Sequence, residues 1–197
     1  MVGGLQIRDA NAADLPGILE ITNDAILHGT ALWTITPMTL QARREWLEDR
    51  RANGLPVLVA EQDGRVAGFG SYGPFRPHEG FVHTIEHSLY VHRDARRGGI
   101  GRALLASLVA SATQAGKHVM IGAIEAQNTA SITLHEKAGF ERSALLPQVG
   151  RKFGRWLDLL LMQKQLASVH DAGRDPMLDA APPNADPADR IMMEGRD

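Results

Sequence analysis

The stretch Arg96-Arg97-Gly98-Gly99-Ile100-Gly101-Arg102-Ala103 decides how the middle of this chain folds. It lies between residues 84–91, which are rich in β-branched and aromatic side chains, and residues 103–115, which have a helical apolar pattern. Glycines at a strand-to-helix junction let backbone N–H groups approach a ligand, and the positive end of the helix dipole points at the same place. The three arginines add charge for phosphate oxygens, which a tight turn does not require. The stretch therefore predicts a diphosphate-binding loop.

The same stretch lacks the marks of two other glycine-rich junctions. No Gly-Lys-Ser/Thr follows, so the lysine and hydroxyl that a P-loop places on phosphates and magnesium are missing. The G-x-G-x-x-G pattern of dinucleotide-binding folds is also missing, and the stretch lies about halfway along the chain rather than after a first strand. A plain turn without a ligand stays open as the alternative.

Composition limits the class of protein. The chain has 197 residues, 44% of them hydrophobic, which is enough for one compact domain, placed at residues 1–166. Residues 167–197 are rich in Pro, Asp and Ala and have no apolar period, so a disordered tail is predicted there. A net charge of -2 gives no general attraction to nucleic acid, and no such partner is expected.

Cysteine and hydropathy bear on the cell compartment. The chain has no cysteine, which fits a reducing compartment, and the cytoplasm is predicted. No segment approaches the ~18 apolar residues of a membrane span, so no membrane association is expected. The eight histidines are scattered and form no pair with metal-ligand spacing on a helix, so no metal site is predicted.

The order of predicted elements indicates the fold class. It is one strand, two helices, three strands, a helix, a strand, a helix and two strands, which predicts an α+β domain, an α/β/α sandwich with a mixed sheet covered on both faces. The predicted strands are residues 5–8, 56–61, 65–72, 84–91, 119–124, 140–146 and 156–166. The predicted helices are residues 15–28, 39–53, 103–115 and 129–138.

Three motifs in order resemble the GCN5-related N-acetyltransferase (GNAT) family. They are the strand Ser88-Leu89-Tyr90-Val91, the loop Arg96-x-x-Gly99-x-Gly101, and Asn128 followed by His135-Glu136-Lys137-Ala138-Gly139-Phe140. Within that family, residues 84–91, 134–137 and 149–156, with Arg76-Pro77, are similar to the phosphinothricin and methionine sulfoximine acetyltransferases. The resemblance covers roughly residues 7–166 and implies a mostly antiparallel central sheet flanked by helices.

The resemblance implies acetyl transfer from acetyl-CoA, as cosubstrate, to the α-amino group of a small amino-acid analogue. The acceptors it suggests are L-methionine sulfoximine, L-methionine sulfone and phosphinothricin. The pantetheine arm is then expected to pair with the backbone of the strand that enters the loop, like an added strand. The residues expected to bind acetyl-CoA are Leu89, Tyr90, Val91, Arg96, Arg97, Gly98, Gly99, Ile100, Gly101, Arg102 and Asn128.

Two residues are predicted to be catalytic. Glu86 shares a strand face with Ser88 and Tyr90 and lies just upstream of the expected acetyl position, so it is the candidate base. The alternative is a structural acid paired with an arginine or with a backbone group. His135 occupies the helix position from which, by the resemblance, the leaving thiolate receives a proton. Packing within the core is the alternative for His135, and capping of the helix at 129–138 is the alternative for Asn128.

The acceptor site is predicted from the loop that precedes this strand. An arginine there suits a carboxylate or a sulfonyl or phosphinyl oxygen, whereas an ordinary exposed arginine is the alternative. His87 faces the other side of the strand, so a structural role is favoured unless a bulge turns it. The aromatic residues Trp33, Phe75, Phe153 and Trp156 are candidate apolar walls or plain core. The predicted acceptor-binding residues are Arg76, Pro77, His78, Glu86, His87 and Ser88.

Other functions on the same sequence stay open. Acetylation of a protein N-terminus or of a polyamine would use the same fold, with an open groove or an acidic pocket. A sensor that binds CoA without chemistry belongs to another class and predicts binding without turnover. The resemblance also implies a homodimer in which residues 152–156 help to close the partner's site.

Overall fold

The computed structural model describes residues 4–166, so the tail predicted at 167–197 lies outside the described residues. One sheet contains seven strands in the order β1-β2-β3-β4-β5-β7-β6. The strands are β1 (Gln6–Asp9), β2 (Val57–Gln62), β3 (Arg65–Pro74), β4 (Thr84–Val91), β5 (Val119–Glu125), β6 (Glu141–Lys152) and β7 (Arg155–Gln165). The helices are α1 (Leu15–His28), α2 (Leu40–Ala52), α3 (Ile100–Gln114) and α4 (Thr129–Lys137).

The strand directions confirm a mixed, mostly antiparallel sheet. β4 and β5 are parallel, joined through α3, and the other neighbouring strands of the described sheet are antiparallel. A parallel pair needs a crossover of about a dozen residues or more, which α3 supplies. The element order is the one that the sequence predicts.

Helices cover both faces of the sheet. Leu15 and Ile18 of α1 and Leu47 of α2 pack with Val59 and Phe69 on one face. On the other face, α3 and α4 bury their apolar sides in a second cluster: Leu105, Leu108, Ile132, Met120 and Met162. Each fully buried side chain of this size contributes about 1.5–3 kcal/mol. The two clusters hold the sheet rigidly, so side chains on its strands have fixed positions.

Two boundaries differ by three residues or more from those predicted. α3 begins at Ile100 rather than at residue 103, because Gly99 adopts φ +81° and the helix starts directly after it. β6 continues to Lys152 rather than ending at 146. The register of β6 against β7 shifts between Leu146 and Gly150. The strand therefore continues past Pro147 through an irregular stretch instead of ending there.

The connection between α1 and α2 lies beside the cavity described in the next subsection. α1 ends at His28, where Gly29 turns to an extended conformation with φ -132° and ψ 170°. α2 begins after Thr39, whose side chain accepts a hydrogen bond from the backbone N–H of Ala42 at 3.1 Å. The chain between the helices runs across the open part of the sheet, and its first part, residues 29–33, is called the 29–33 loop below.

Candidate active site

The central sheet opens between β4 and β5. The two strands pair from Thr84 opposite Val119 to His87 opposite Gly122. Beyond that point, within the described residues, β4 pairs with β3 and β5 pairs with β7, so the two strands diverge. Backbone groups of β4 that face the gap are open along residues 88–91. A cavity of about 1080 Å³ occupies the gap and reaches the start of α3, which makes a slot for an extended ligand with amide groups.

The glycine loop forms one end of this cavity. Ala103 N–H donates to the Gly99 carbonyl at 3.0 Å, so the N–H groups of the three residues between them lie ahead of the first helical hydrogen bond. A helix N-terminus with free N–H groups of this kind binds an anion well. Gly101 also allows α3 to approach α4, because a Cβ there would lie 3.2 Å from Leu134 Cδ2. The predicted loop residues that line the cavity are Arg96, Arg97, Gly99, Ile100, Gly101 and Arg102, whereas Gly98 does not.

Glu86 lies at the closed end of the gap. It is opposite Gly73 of β3 and is still within the paired part of β4 and β5. Its side chain is half-buried, lines the cavity and, among the described residues, makes no hydrogen bond. Burial raises the pKa of the Glu86 carboxyl, and the charge of Arg76 opposes part of that rise. A carboxylate in this state is suited to accept a proton, and within residues 4–166 no arginine forms an ion pair with it at contact distance, as a structural acid would require.

His87 and His135 form a buried pair on the opposite face of β4 from Glu86. Their Nε2 atoms lie 3.1 Å apart, and the His135 Nδ1 lies 2.7 Å from the Ser131 carbonyl oxygen. A carbonyl only accepts, so the proton of neutral His135 is on Nδ1 and His87 Nε2–H donates to His135 Nε2. Burial and the neighbouring histidine lower the pKa of His87 to about 3, and burial lowers the pKa of His135. In this arrangement both nitrogens of His135 have partners.

No bulge turns His87 toward the acceptor face. The pairing of β3 with β4 is regular from Gly68 opposite Val91 to Pro74 opposite Ile85. The ring of His87 packs against His135 with centroids 5.1 Å apart, and both histidines also line the cavity.

Asn128 lies at the junction of β5 and α4. Its side chain accepts a hydrogen bond from Ser131 N–H at 3.1 Å and so caps α4. Asn128 also lines the cavity, as do Ser88, Leu89, Tyr90 and Val91 of β4. Capping and ligand contact are therefore compatible at this position.

The loop after β3 stands apart from the cavity wall. Arg76 is exposed, with its guanidinium carbon 4.2 Å from the centroid of the Phe75 ring, and it donates to the Phe75 carbonyl at 3.0 Å. Pro77 and His78 are exposed, and neither they nor Arg76 line the cavity. The structure does not bring these three predicted acceptor residues into the wall, although the charge of Arg76 acts on Glu86.

One wall of the cavity contains Thr30 and Glu125, which sequence reasoning missed, and Lys152 lies behind that wall without lining the cavity. Glu125, at the end of β5, is 6% exposed and accepts a hydrogen bond from Thr30 Oγ1 at 3.3 Å. Lys152 is buried and donates to backbone carbonyls at the end of α1. A carboxylate ending a predicted buried strand was a usable signal for Glu125. Nothing in the spacing marks Thr30 or Lys152, because their partners are distant in sequence.

An ion pair also joins α1 to the segment before the glycine loop. Arg93 contacts the Asp24 carboxylate and lies 3.3 Å from Nδ1 of His28. All three residues line the cavity. The pair connects α1 to the segment that leads into the glycine loop, and sequence spacing did not indicate it.

The four candidate aromatic walls separate in the structure. Trp33 lines the cavity, and its indole N–H donates to the Thr30 carbonyl at 2.9 Å. Phe75 packs against Phe81 outside the cavity, with ring centroids 5.9 Å apart. Phe153 and Trp156 are each 59% exposed on the hairpin of β6 and β7. Of the four, only Trp33 belongs to the wall of the cavity.

The structure of residues 4–166 also bears on metal binding and on membrane crossing. No group of three or more His, Asp or Glu side chains in this part is arranged to hold a metal ion. None of its helices combines the length and the apolarity that a bilayer crossing requires.

Several known proteins are similar to this chain in fold and in sequence. A curated L-methionine sulfoximine/L-methionine sulfone acetyltransferase from Pseudomonas aeruginosa is 52% identical over 167 residues, 84% of this chain and 97% of that protein. A solved ribosomal-protein-alanine N-acetyltransferase from Brucella melitensis is 56% identical with a TM-score of 0.81, covering 82% of this chain and 99% of that one. A phosphinothricin acetyltransferase from Sinorhizobium meliloti, solved with acetyl-CoA, is 37% identical with a TM-score of 0.80, covering 82% and 88%.

The family follows from the fold, the cleft and these likenesses together. A family model described as acetyltransferase (GNAT) family matches residues 18–140, which is more than half of the chain. The chain belongs to the GNAT family of acetyltransferases.

Proposed function

We propose that this protein transfers the acetyl group of acetyl-CoA to the α-amino group of a small amino-acid analogue. The names of its relatives support acceptors such as L-methionine sulfoximine, L-methionine sulfone and phosphinothricin. The observation that carries the proposal is a half-buried carboxylate, Glu86, at the closed end of a split sheet whose other end is a helix N-terminus.

The cleft fits acetyl-CoA from one end to the other. The open backbone of residues 88–91 suits the amide-bearing arm, and the N–H groups at the start of α3, with Arg96, Arg97 and Arg102, suit the diphosphate. A thioester laid along the slot then ends near the paired part of β4, where Glu86 lies. This order of groups supports the coenzyme residues that the sequence predicts.

Glu86 is proposed as the base. It takes a proton from the acceptor ammonium, directly or through water, and the free amine then attacks the thioester carbonyl carbon. A C–N bond forms, the C–S bond breaks, and the electron pair of that bond leaves with the CoA sulfur as a thiolate. The nitrogen then gives up its remaining excess proton, which the thiolate takes, so the products are the N-acetylated acceptor and the CoA thiol. A backbone N–H of β4 near Leu89 is the proposed donor to the carbonyl oxygen.

The acid role of His135 stays a prediction. To donate from Nε2, His135 must first gain a proton there and give up its contact with His87, and burial lowers its pKa. We therefore propose Glu86 alone as a catalytic residue on the geometry. Acceptor binding by Arg76, Pro77 and His78 also stays a prediction.

A homodimer is proposed from the resemblance and from the surface of the β6–β7 hairpin. Large apolar side chains are exposed there, and such a patch is typical of an interface. They are Leu145 (55% exposed), Val149 (53%), Phe153 (59%) and Trp156 (59%). Lys152 belongs to the segment predicted to reach a partner, yet its side chain is buried against its own chain, so only residues 153–156 remain for that role. We also propose the cytoplasm as its location, from the absence of cysteine.

Acetylation of a protein N-terminus is a second candidate. It is favoured by the name of the Brucella melitensis protein, which is 56% identical to this chain. The two candidates share the cleft and the coenzyme and differ in the size of the acceptor.

A panel of acceptors separates these functions. Thiol release from acetyl-CoA is measured with methionine sulfone, methionine sulfoximine, phosphinothricin, spermidine and a short peptide that begins with alanine. We expect turnover with the amino-acid analogues and none with spermidine or the peptide. Turnover confined to the peptide moves the assignment to the second candidate. Tight acetyl-CoA binding without thiol release from any acceptor identifies a sensor and contradicts the proposal.

A further inference from the structure

Lys152 is a buried lysine with an uncommon set of partners. Its side chain is 3% exposed, and its Nζ donates to the carbonyls of Leu32 at 2.5 Å, Gly29 at 2.8 Å and Ala25 at 3.4 Å. Within residues 4–166 no carboxylate forms an ion pair with it. A buried ammonium without a counter-ion is costly, so its charge is stabilised by these oxygens and by the face of the Phe153 ring, whose centroid lies 5.0 Å from Nζ.

The three carbonyls belong to the end of α1 and to the 29–33 loop. The last carbonyls of a helix have no partner within the helix and carry its negative dipole end, which a cation stabilises. Lys152 therefore donates hydrogen bonds to carbonyl groups at the end of α1 and in the loop that follows it. One side chain from the far end of the sheet thereby fixes where the helix ends and how the loop leaves it.

The loop that Lys152 holds is a wall of the acceptor side. Ala25, Gly29 and Leu32 line the same cavity as Glu86. Thr30 in the loop donates to Glu125, and Trp33 N–H closes the loop by donating to the Thr30 carbonyl. A shift of this loop thus moves the wall that faces the proposed base.

A second contact from β6 supports the same loop. At Gly150, a Cβ would lie 2.1 Å from Cε3 of the Trp33 ring, so the ring packs directly on the backbone of β6. Gly150 and Lys152 lie two residues apart on one strand, and both act on the 29–33 loop. The hairpin is therefore the support for the acceptor wall.

We propose that Lys152 is a positioning residue that shapes the acceptor site by holding the 29–33 loop against the cleft. The inference rests on the proposed function for its kinetic consequence. Its structural part, an ordered loop, is measured without any acceptor. Lys152 touches no reacting atom and acts through the backbone that it binds.

The test uses Lys152→Met, which keeps the length of the side chain and removes the donors. We expect faster amide hydrogen exchange in residues 29–33, an acceptor KM raised about tenfold or more, and an acetyl-CoA KM within about twofold of the original. The control is Lys117→Met, because Lys117 also donates to one carbonyl, that of Val82, and lies outside the cavity.

The lack of cysteine allows a rescue. Lys152→Cys has a single thiol, which bromoethylamine converts in urea to a thioether analogue of lysine before refolding. We expect the treated protein to recover the acceptor KM and the slow exchange, whereas the original chain treated in the same way is unchanged. Gly150→Ala disturbs the loop by another route and should raise the acceptor KM without removing the ammonium.

The outcomes are distinct. Unchanged exchange in residues 29–33 overturns the proposal, and so does an equal rise in both KM values, which would indicate a general loss of structure. If Lys152→Met does not fold, the rescued protein and Gly150→Ala decide in its place. If the original protein acetylates no acceptor, the proposed function fails, while faster exchange in Lys152→Met still supports the hold on the loop.

Discussion

The two ends of the cleft are built in different ways. The end at α3 presents main-chain N–H groups and exposed arginines from one continuous stretch, residues 96–102. The other end presents groups from separate parts of the chain, the buried Glu125 and the 29–33 loop, and the buried Lys152 binds that loop without lining the cavity. Main-chain groups persist through most substitutions, whereas a buried charge is strongly destabilising once a partner is lost. We therefore expect acetyl-CoA affinity and acceptor affinity to respond to different substitutions.

The largest difference between an effect on turnover and an effect on acetyl-CoA binding is expected for a substitution of Glu86. Glu86→Gln keeps the shape of the side chain and removes the base, so kcat should fall by about 10²–10⁴-fold. The Kd of acetyl-CoA, measured by calorimetry, should stay unchanged because the coenzyme end is intact.

Glu48→Gln is the matched control for this change, since Glu48 is exposed on α2. Its kcat should equal that of the original protein. A Glu86→Gln variant with near-normal kcat would remove Glu86 from the mechanism and leave the cleft without its proposed base.

A smaller effect is expected at His135, which lies between the two ends. His135→Asn keeps a donor for the Ser131 carbonyl and removes Nε2, so a neutral hydrogen bond to His87 is lost. We expect kcat to fall by less than about tenfold, together with a lower melting temperature. A hundredfold fall in kcat at an unchanged melting temperature would instead restore the acid role predicted from the sequence.

The coenzyme end is expected to depend little on any one arginine. Arg102 is exposed at the start of α3, so Arg102→Gln should raise the acetyl-CoA KM by up to about fivefold. The acceptor KM should not change, and the effect should shrink in high salt because exposed charges are screened. Arg44→Gln, on the exposed side of α2, serves as the control. A rise confined to the acceptor KM would contradict the division of the cleft.

The smallest effect is a shift in pH dependence through Arg76. Burial raises the pKa of Glu86, and activity requires its ionised form, so kcat/KM should fall as pH drops through that raised pKa. Arg76 favours the ionised form, so Arg76→Gln should raise the pKa further and move the acid limb to higher pH. If Arg76 also binds the acceptor, as the sequence predicts, the acceptor KM rises in the same variant. An acid limb that moves to lower pH would contradict this electrostatic argument.

The same contrast explains what the sequence could predict. The element order, the glycine loop and Glu86 follow from local patterns, such as a period of two in β4 and glycines ahead of a helix. The alternation also places His87 on the opposite face from Glu86, as the structure confirms. These features need no knowledge of distant contacts.

The acceptor wall could not be predicted in this way. Lys152 meets Gly29 across 123 residues of sequence, and Thr30 meets Glu125 across 95. The strand predicted to end at Leu146 continues to Lys152, and the shift of register between Leu146 and Gly150 that allows this has no local signature. Residue spacing therefore indicates the reaction more readily than the acceptor, since the acceptor side depends on contacts that arise only in the folded chain.

The split between β4 and β5 also bears on solubility. A sheet that divides has an edge inside the molecule, and unpaired edges are where proteins join into aggregates. Here the open edge is residues 88–91, roughly 13 Å long at about 3.3 Å per residue. It lies between the glycine loop, α4 and the 29–33 loop, residues of which line the cavity around it. The walls that select the ligand thus also protect the exposed hydrogen-bonding groups from other proteins.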